Sequence, residues 1–299
     1  MTCNDSSNVS VGYTHVEKKG WKQLPKAKQC ASATSHWGLI RFLNMIWRLI
    51  ATGISFSLFG IAGLLTGLLV FPALFLVVHN PGSRQKAARA MVSWLFGAFI
   101  RIMSWLGVLS YSIEGLDEVP PDGTFLIVAN HPTLIDVVFL VWLFPQSECV
   151  IKEAVVRNPF MRSVVLAANY ISNDDSLVLI EVCAERLKHG RSLILVPEGT
   201  RSVPCQQRDL KLGAAAVAVR AQTVLLPVVI SCIPATLAKH ERWYDIPPRK
   251  PFFTIQAHTP VAVSDIVPET ADLREGALIV NRHLAKLFDE HCPVEIQPD

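Results

Sequence analysis

Residues 125–144 read FLIVANHPTLIDVVFLVWLF, and the structural reading of this stretch decides the fold. Phe125–Ala129 is an apolar run of strand length, Asn130-His131-Pro132 punctuates it, and Leu134–Phe144 is compatible with a helix. Strand, turn and helix in that order predict an α/β domain. Thr133 is placed as the N-cap with Asp136 three residues on, a capping box in which Asp replaces the usual Glu or Gln. From the first helical turn the carboxylate can reach back to His131, accept a hydrogen bond from one ring nitrogen and leave the other as a base. Such a dyad can deprotonate a hydroxyl. With nine histidines in 299 residues, however, this spacing arises easily by accident, and a plain helix cap beside a turn histidine explains it equally well.

A second element breaks the tie. The apolar run Ser192–Leu195 is followed by Val196-Pro197-Glu198-Gly199-Thr200-Arg201-Ser202, much as the first motif follows its strand. In open α/β sheets ligands bind at the carboxyl ends of strands, so the two turns are expected to converge on one cleft. Arg201 suits a bidentate grip on phosphate or carboxylate, Gly199 lets backbone approach a ligand, and Glu198 can accept from acceptor hydroxyls or hold Arg201. The bland alternative is an ion pair across a turn.

With NHPTLID at 130–136 and PEGTRS at 197–202, the chain resembles the glycerophospholipid acyltransferase family, the PlsC-like lysophosphatidate acyltransferases, over roughly Ser112 to Ile230. Lys152, Pro159 and Tyr170-Ile171-Ser172-Asn173 are similar to the family's second block, and Lys211-Leu212-Gly213 with the Ala-rich stretch to Ala221 to its K-x-G-Ala helix. Val224–Ile230 is similar to its fourth block; as a bare pattern it is a buried strand in which Pro227 marks a bulge or an edge. The second block departs from the family, which has a Gly after the Pro and ends in an Arg that helps hold the acceptor's phosphate. Here Arg162 and Asn173 stand in those places, with Arg157 or Arg162 as possible substitutes.

The resemblance implies a membrane-bound O-acyltransferase that moves a fatty acyl group from acyl-ACP or acyl-CoA to a lipid hydroxyl such as that of 1-acylglycerol-3-phosphate. His131 and Asp136 would be catalytic, and Glu198, Gly199, Thr200, Arg201, Lys152 and Lys211 would bind substrate. No cofactor or metal is implied beyond the thioester co-substrate. G-x-S-x-G is absent, which argues against an α/β hydrolase. Two alternatives stay open: an acyltransferase of a specialised bacterial lipid pathway with a non-phosphate acceptor, and a non-catalytic lipid-binding protein.

Charge is distributed unevenly. From Lys18 to Ile113 there is no Asp or Glu, whereas eleven Lys and Arg fall there, although the whole chain carries only +3. Such a basic stretch beside long apolar runs predicts attraction to an anionic lipid surface and disfavours nucleic acid, which calls for no uninterrupted apolar segment. Leu49–Val78 runs without a charge and, as one straight helix, would span about 45 Å against a hydrocarbon core of about 30 Å. Gly53, Gly60, Gly63, Gly67 and Pro72 offer bends, His79–Ala90 reads as a polar loop, and Met91–Leu109 is a second apolar segment interrupted only by Arg101. The expected organisation is a basic tail over 1–38, a membrane-associated helical hairpin over 39–110 and a catalytic domain over 111–299, a mixed central sheet flanked by helices. The expected location is the cell inner membrane with the catalytic domain facing the cytoplasm. Seven scattered cysteines without a C-x-x-C pair fit reduced thiols and no zinc site.

Overall fold

The computed structural model describes residues 33–157, 159–173, 176–201 and 210–291; the rest of the expected tail, residues 1–32, lies outside them. The strands are Ser110–Glu114 (β1), Phe125–Ala129 (β2), Glu148–Lys152 (β3), Ile171–Asn173 (β4), Leu193–Leu195 (β5), Val224–Ile233 (β6), Phe252–Ala257 (β7) and Val261–Ala262 (β8). They form one mixed sheet in the order β1-β7-β6-β2-β5-β3-β4, with β8 paired to β6. A strand buried on both faces has to be apolar throughout, and this is why FLIVA carries no alternation. Phe125, Ile127 and Ala129 enter one core, while Leu126 and Val128 enter the other.

Strands β2, β3, β4, β5 and β6 are mutually parallel, so their carboxyl ends share one edge. Strand β7 runs antiparallel to β6, and β1 runs parallel to β7. Pro227 is neither at an edge nor at a bulge: it sits inside a central strand, paired with Val128. It is tolerated because β7 pairs β6 from Val228 onward and β8 pairs it at Val224 and Leu225, so Pro227 falls at the changeover. Its carbonyl accepts from the His258 N–H there, and its missing N–H interrupts no ladder bond.

The helices on one face are Ala33–Leu65 (α1), Phe71–Val77 (α2), Pro81–Trp105 (α3) and Asp136–Leu143 (α4). Between α1 and α2 the winding loosens into a π-helical turn, Thr66–Val70, in which the Phe71 N–H reaches the Thr66 carbonyl. Pro72 follows at once, and a proline ring displaces the carbonyl four residues before it, so the ladder widens there. The expected polar loop over His79–Ala90 is instead mostly helix. Asn80 caps α3 by accepting from the Ser83 N–H at 3.1 Å, and Pro81 takes the first helical position, where its missing N–H costs nothing.

From Arg41 onward α1 belongs to the same compact unit as the sheet. Phe56 meets Phe99 with ring centroids 5.5 Å apart, and Phe59 meets Phe99 at 4.6 Å, which zips α1 to α3. Next, α3 packs on α4, where Gly97 leaves room for the Trp142 indole; a Cβ at 97 would lie 2.5 Å from it. Phe139 at the centre of α4 touches Tyr111, Trp142 and Phe253. The outward side of α1 and α2 stays apolar and uncovered at Leu64, Leu65, Leu68, Leu69, Phe75, Leu76 and Val77. On the other face of the sheet lie Ser176–Lys188, Gly213–Ala221 and Leu273–Glu290, with Val263–Ile266 as a short link, while Glu153–Arg157 leads into Pro159–Ala168, which packs on α3 on the first face. Leu273–Glu290 buries Ala277, Val280, Leu284 and Phe288, the stripe expected of a helix that covers a sheet.

Candidate active site

Strand β2 ends at Ala129, and Asn130 extends its pairing by side chain instead of backbone. The Asn130 amide donates to the Ile230 carbonyl at 2.7 Å and accepts from the Ile230 N–H at 2.6 Å. This lock on β6 frees the next residue to turn out of the sheet, and His131 turns there. The Asp136 Oδ2 lies 3.0 Å from His131 Nδ1, so the imidazole is held by the carboxylate, as the sequence predicts. The same oxygen accepts the Thr133 N–H at 2.6 Å, and Oδ1 accepts the Thr133 hydroxyl.

The expected capping box is only half present. The helix begins at Asp136, its N-cap is Ile135, and Thr133 aims its hydroxyl at the carboxylate, not at a helical N–H. The carboxylate thus faces away from solvent with donors at both oxygens. It is fully buried, and burial pushes its pKa above the ordinary carboxyl range, opposed by the bonds from His131 and Thr133.

Val128 pairs with Leu195, so β5 delivers its turn beside that of β2. Glu198 is buried, and its Oε2 accepts the His131 backbone N–H at 3.2 Å, which joins the two motif loops directly. Gly199 has φ +65°, in the left-handed region that glycine occupies at no steric cost. Lys211 lies across it: a Cβ at 199 would meet Lys211 Cε and Nζ at 2.9 Å, and the Lys211 N–H donates to the Pro197 carbonyl at 2.9 Å. Arg201 is anchored by backbone, with Nη1 donating to the carbonyls of Leu237 and Ala238 at 2.9 and 2.8 Å. That leaves Nε and Nη2 without a partner among the described residues. The Leu237 carbonyl also accepts the Leu134 N–H at 3.1 Å, so a third loop ties the ends of both motifs.

Comparison with known proteins agrees with this geometry. The family model described as Acyltransferase matches residues 110–231, which contain β1 to β5, most of β6 and both motifs. Residues 110–231 are an acyltransferase-family domain. The chain is 26% identical over 139 residues to 1-acyl-sn-glycerol-3-phosphate acyltransferase of Borreliella burgdorferi, which covers 44% of this chain and 56% of that protein. It is 30% identical over 115 residues to the protein of that name from Helicobacter pylori, 36% of this chain and 48% of the other. It therefore spans about half the length of the curated relatives it matches. In fold it is similar to the crystal structure of the 1-acyl-sn-glycerophosphate acyltransferase PlsC from Thermotoga maritima, with a TM-score of 0.64 at 18% identity, covering 85% of this chain and 100% of that one.

Within the acyltransferase domain the remaining expected residues are spread along the carboxyl edge. Lys152 is exposed at the end of β3, two strands from β2, where it pairs in register with Asn173; no bond links it to His131, Glu198 or Arg201. Arg157 forms an exposed ion pair with Glu153 one turn back, and Arg162 is exposed, as charges on a solvated helix face are. Thr200 lies in the bend between Glu198 and Arg201, and Ser202 lies outside the described residues. No group of three or more metal-ligating side chains occurs among the described residues.

The sequence reading missed two contributors. Leu237 adopts φ +55°, a conformation costing a non-glycine residue about 1–2 kcal/mol, and this aims its carbonyl at Arg201 and Leu134. Nothing in the leucine side chain signals it. Arg48 on α1, 2% exposed, holds the same loop further on, with Nη1 on the Arg249 carbonyl at 2.9 Å and Nη2 on those of Pro247 and Pro248 at 2.7 and 3.2 Å. A guanidinium immediately before the uncharged run Leu49–Val78 was the available signal, because burying such a group needs partners.

Proposed function

We propose that this protein transfers an acyl group from an acyl thioester to the hydroxyl of a lysophosphatidate-like lipid. The observation that carries the reading is His131 Nδ1 held 3.0 Å from a buried Asp136, with the His131 N–H on Glu198. With Nδ1–H directed at Asp136, Nε2 holds a lone pair and takes the proton of the acceptor hydroxyl. The hydroxyl oxygen attacks the thioester carbonyl carbon, the new ester bond forms, and the C–S bond breaks. The imidazolium then returns the proton to the departing thiolate. Asp136 holds the ring and balances its transient charge, as in a serine triad with a substrate alcohol in place of serine. Thioesters are already activated, so no covalent enzyme intermediate is required.

Arg201 has a guanidinium edge to offer an acceptor phosphate, and Lys211, stretched over Gly199, adds a second cation beside it. Gly199 and Thr200 let the acceptor backbone approach, and Lys152 supplies positive charge further along the edge. The uncovered apolar side of α1 and α2 supports a membrane seat for the hairpin, and the carboxylate-free basic third supports an anionic, cytoplasm-facing leaflet. The acyl chain would then stay in hydrocarbon while its thioester reaches His131, with acyl-ACP or acyl-CoA as donor. Asn173 at the end of the second block favours one further reading, an acceptor without a phosphate.

Membranes carrying the protein, incubated with labelled acyl thioester and a panel of lysolipids, are expected to acylate 1-acylglycerol-3-phosphate, and His131→Ala is expected to abolish transfer while leaving membrane association intact. Full activity in that variant would remove His131 from the chemistry. Acylation confined to phosphate-free acceptors would select the second reading.

A further inference from the structure

We propose that the amino-terminal edge of the sheet, opposite His131, carries a second anion site that takes a phosphate group on a small hydroxylated carrier of the glycerol phosphate type. At that edge Glu148, the first residue of β3, is 0% exposed and is gripped by three guanidinium groups. Arg89 Nη2 lies at 2.7 Å, Arg191 Nη1 at 2.8 Å, and Arg186 Nη1 at 3.1 and 3.0 Å from the two carboxylate oxygens. One carboxylate offsets one arginine. Two positive charges are left over.

Arg89 has a partner at each of its three nitrogens, since besides Nη2 on Glu148 its Nε donates to the Ala168 carbonyl at 3.0 Å and Nη1 to that of Gln146 at 3.4 Å. Arg186 and Arg191 are different. Each spends only Nη1 on Glu148, and their other nitrogens have no partner among the described residues. With side chains 29% and 40% exposed, they line an open cavity of about 360 Å³ together with Gln85, Asn169, Glu185 and His189. Glu185 is the one carboxylate on the wall, and it is engaged by Lys188 at 3.1 Å.

Two guanidinium forks pinned by a buried carboxylate present N–H groups at fixed angles, which suits the bidentate, charge-assisted grip of a phosphate. Pinning matters because the side-chain entropy that such a grip costs has already been lost. The Gln85 and Asn169 amides on the same wall suit hydroxyls on the carrier. The cavity mouth also neighbours the hairpin end: Gln85 follows Arg84, which stacks over the exposed Phe75 ring at 3.6 Å. The phosphate can therefore come from a lipid headgroup or from solution, with the same chemistry.

The test uses the full chain in detergent micelles titrated with glycerol 3-phosphate, and in nanodiscs of phosphatidylcholine with or without phosphatidylglycerol. Hydrogen exchange of residues 185–191 is followed in both, against chloride at equal ionic strength. Protection in the soluble arm assigns a free phosphate monoester, and protection in the nanodisc arm alone assigns a lipid headgroup; either supports the site. Apparent affinity should fall at least tenfold in R186Q/R191Q, with R191K between the two. Neither arm protecting, chloride protecting as well as phosphate, or the double variant binding like wild type would each overturn it. Should the double variant fail to fold, the wild-type comparison of phosphate with chloride still decides. None of these readouts depends on acyl transfer, so the site can fail while the proposed reaction stands.

Discussion

For His131 to act as a base, Asp136 has to be buried enough to be rigid and charged enough to balance an imidazolium, and the two demands pull against each other. Burial raises its pKa, while the His131 and Thr133 bonds oppose that shift. A carboxyl whose folded pKa lies above its unfolded value lends stability that is fully present below the unfolded pKa and is lost as pH rises through the folded one. Asp136→Asn abolishes this titration yet can keep every bond. Its carbonyl would take the two donors now on Oδ2, and its NH₂ would face a Thr133 hydroxyl that turns to accept. Compared with wild type by denaturant unfolding, the variant should therefore gain stability as pH rises from acid through that window. Its turnover should drop by about 10²- to 10⁴-fold because the neutral amide no longer balances the imidazolium. A variant that followed wild type at every pH would show that Asp136 does not titrate with folding.

At the scale of elements, the interface between α3 and α4 and the loop from Pro234 to Pro251 set the geometry of that dyad. Gly97→Ala would drive a methyl group into the Trp142 indole, which Tyr111 and Phe139 hold from its other sides. The expected cost is about 1–3 kcal/mol, read as a lower thermal midpoint in detergent. Arg48→Met would strip the loop carbonyls of Pro247, Pro248 and Arg249 of their donors. Destabilisation of about 1–3 kcal/mol is expected. Because the same loop carries the Leu237 carbonyl that holds Arg201, turnover should fall with KM for the acceptor rising; unchanged kinetics in a folded variant would detach α1 from the site.

Over the whole molecule, the hairpin is part of the core and not an appendage to it. Ile100 and Met103 of α3 are buried in the same cluster as Ile127, Phe139 and Phe253. A fragment beginning at Ser110 should accordingly be insoluble or unfolded by far-UV circular dichroism, because it exposes that entire face of the sheet. The full chain, whose α1 and α2 leave a continuous apolar side uncovered, is expected to stay in the membrane pellet after carbonate extraction. Release into the supernatant would contradict a hairpin seated in hydrocarbon.

What the sequence by itself determined was local: β2 with its turn, the carboxylate in the first helical turn after His131, and the Glu198-Gly199-Thr200-Arg201 bend, each written in consecutive residues whose periods and turn chemistry need no partner. The bounds of β2 and the apolar run into β5 were legible for that reason. The tertiary structure decided what depends on distant neighbours. Pro227 fits a central strand only because two different strands flank it, and Asn130 becomes a ladder link only against Ile230. Thr133 gives its hydroxyl to Asp136 in preference to the helix, Arg48 is satisfied by carbonyls two hundred residues on, and Glu148 gathers three arginines from separate segments. A buried polar group must find its partner wherever the fold brings one, and one-dimensional spacing carries no record of which it will be.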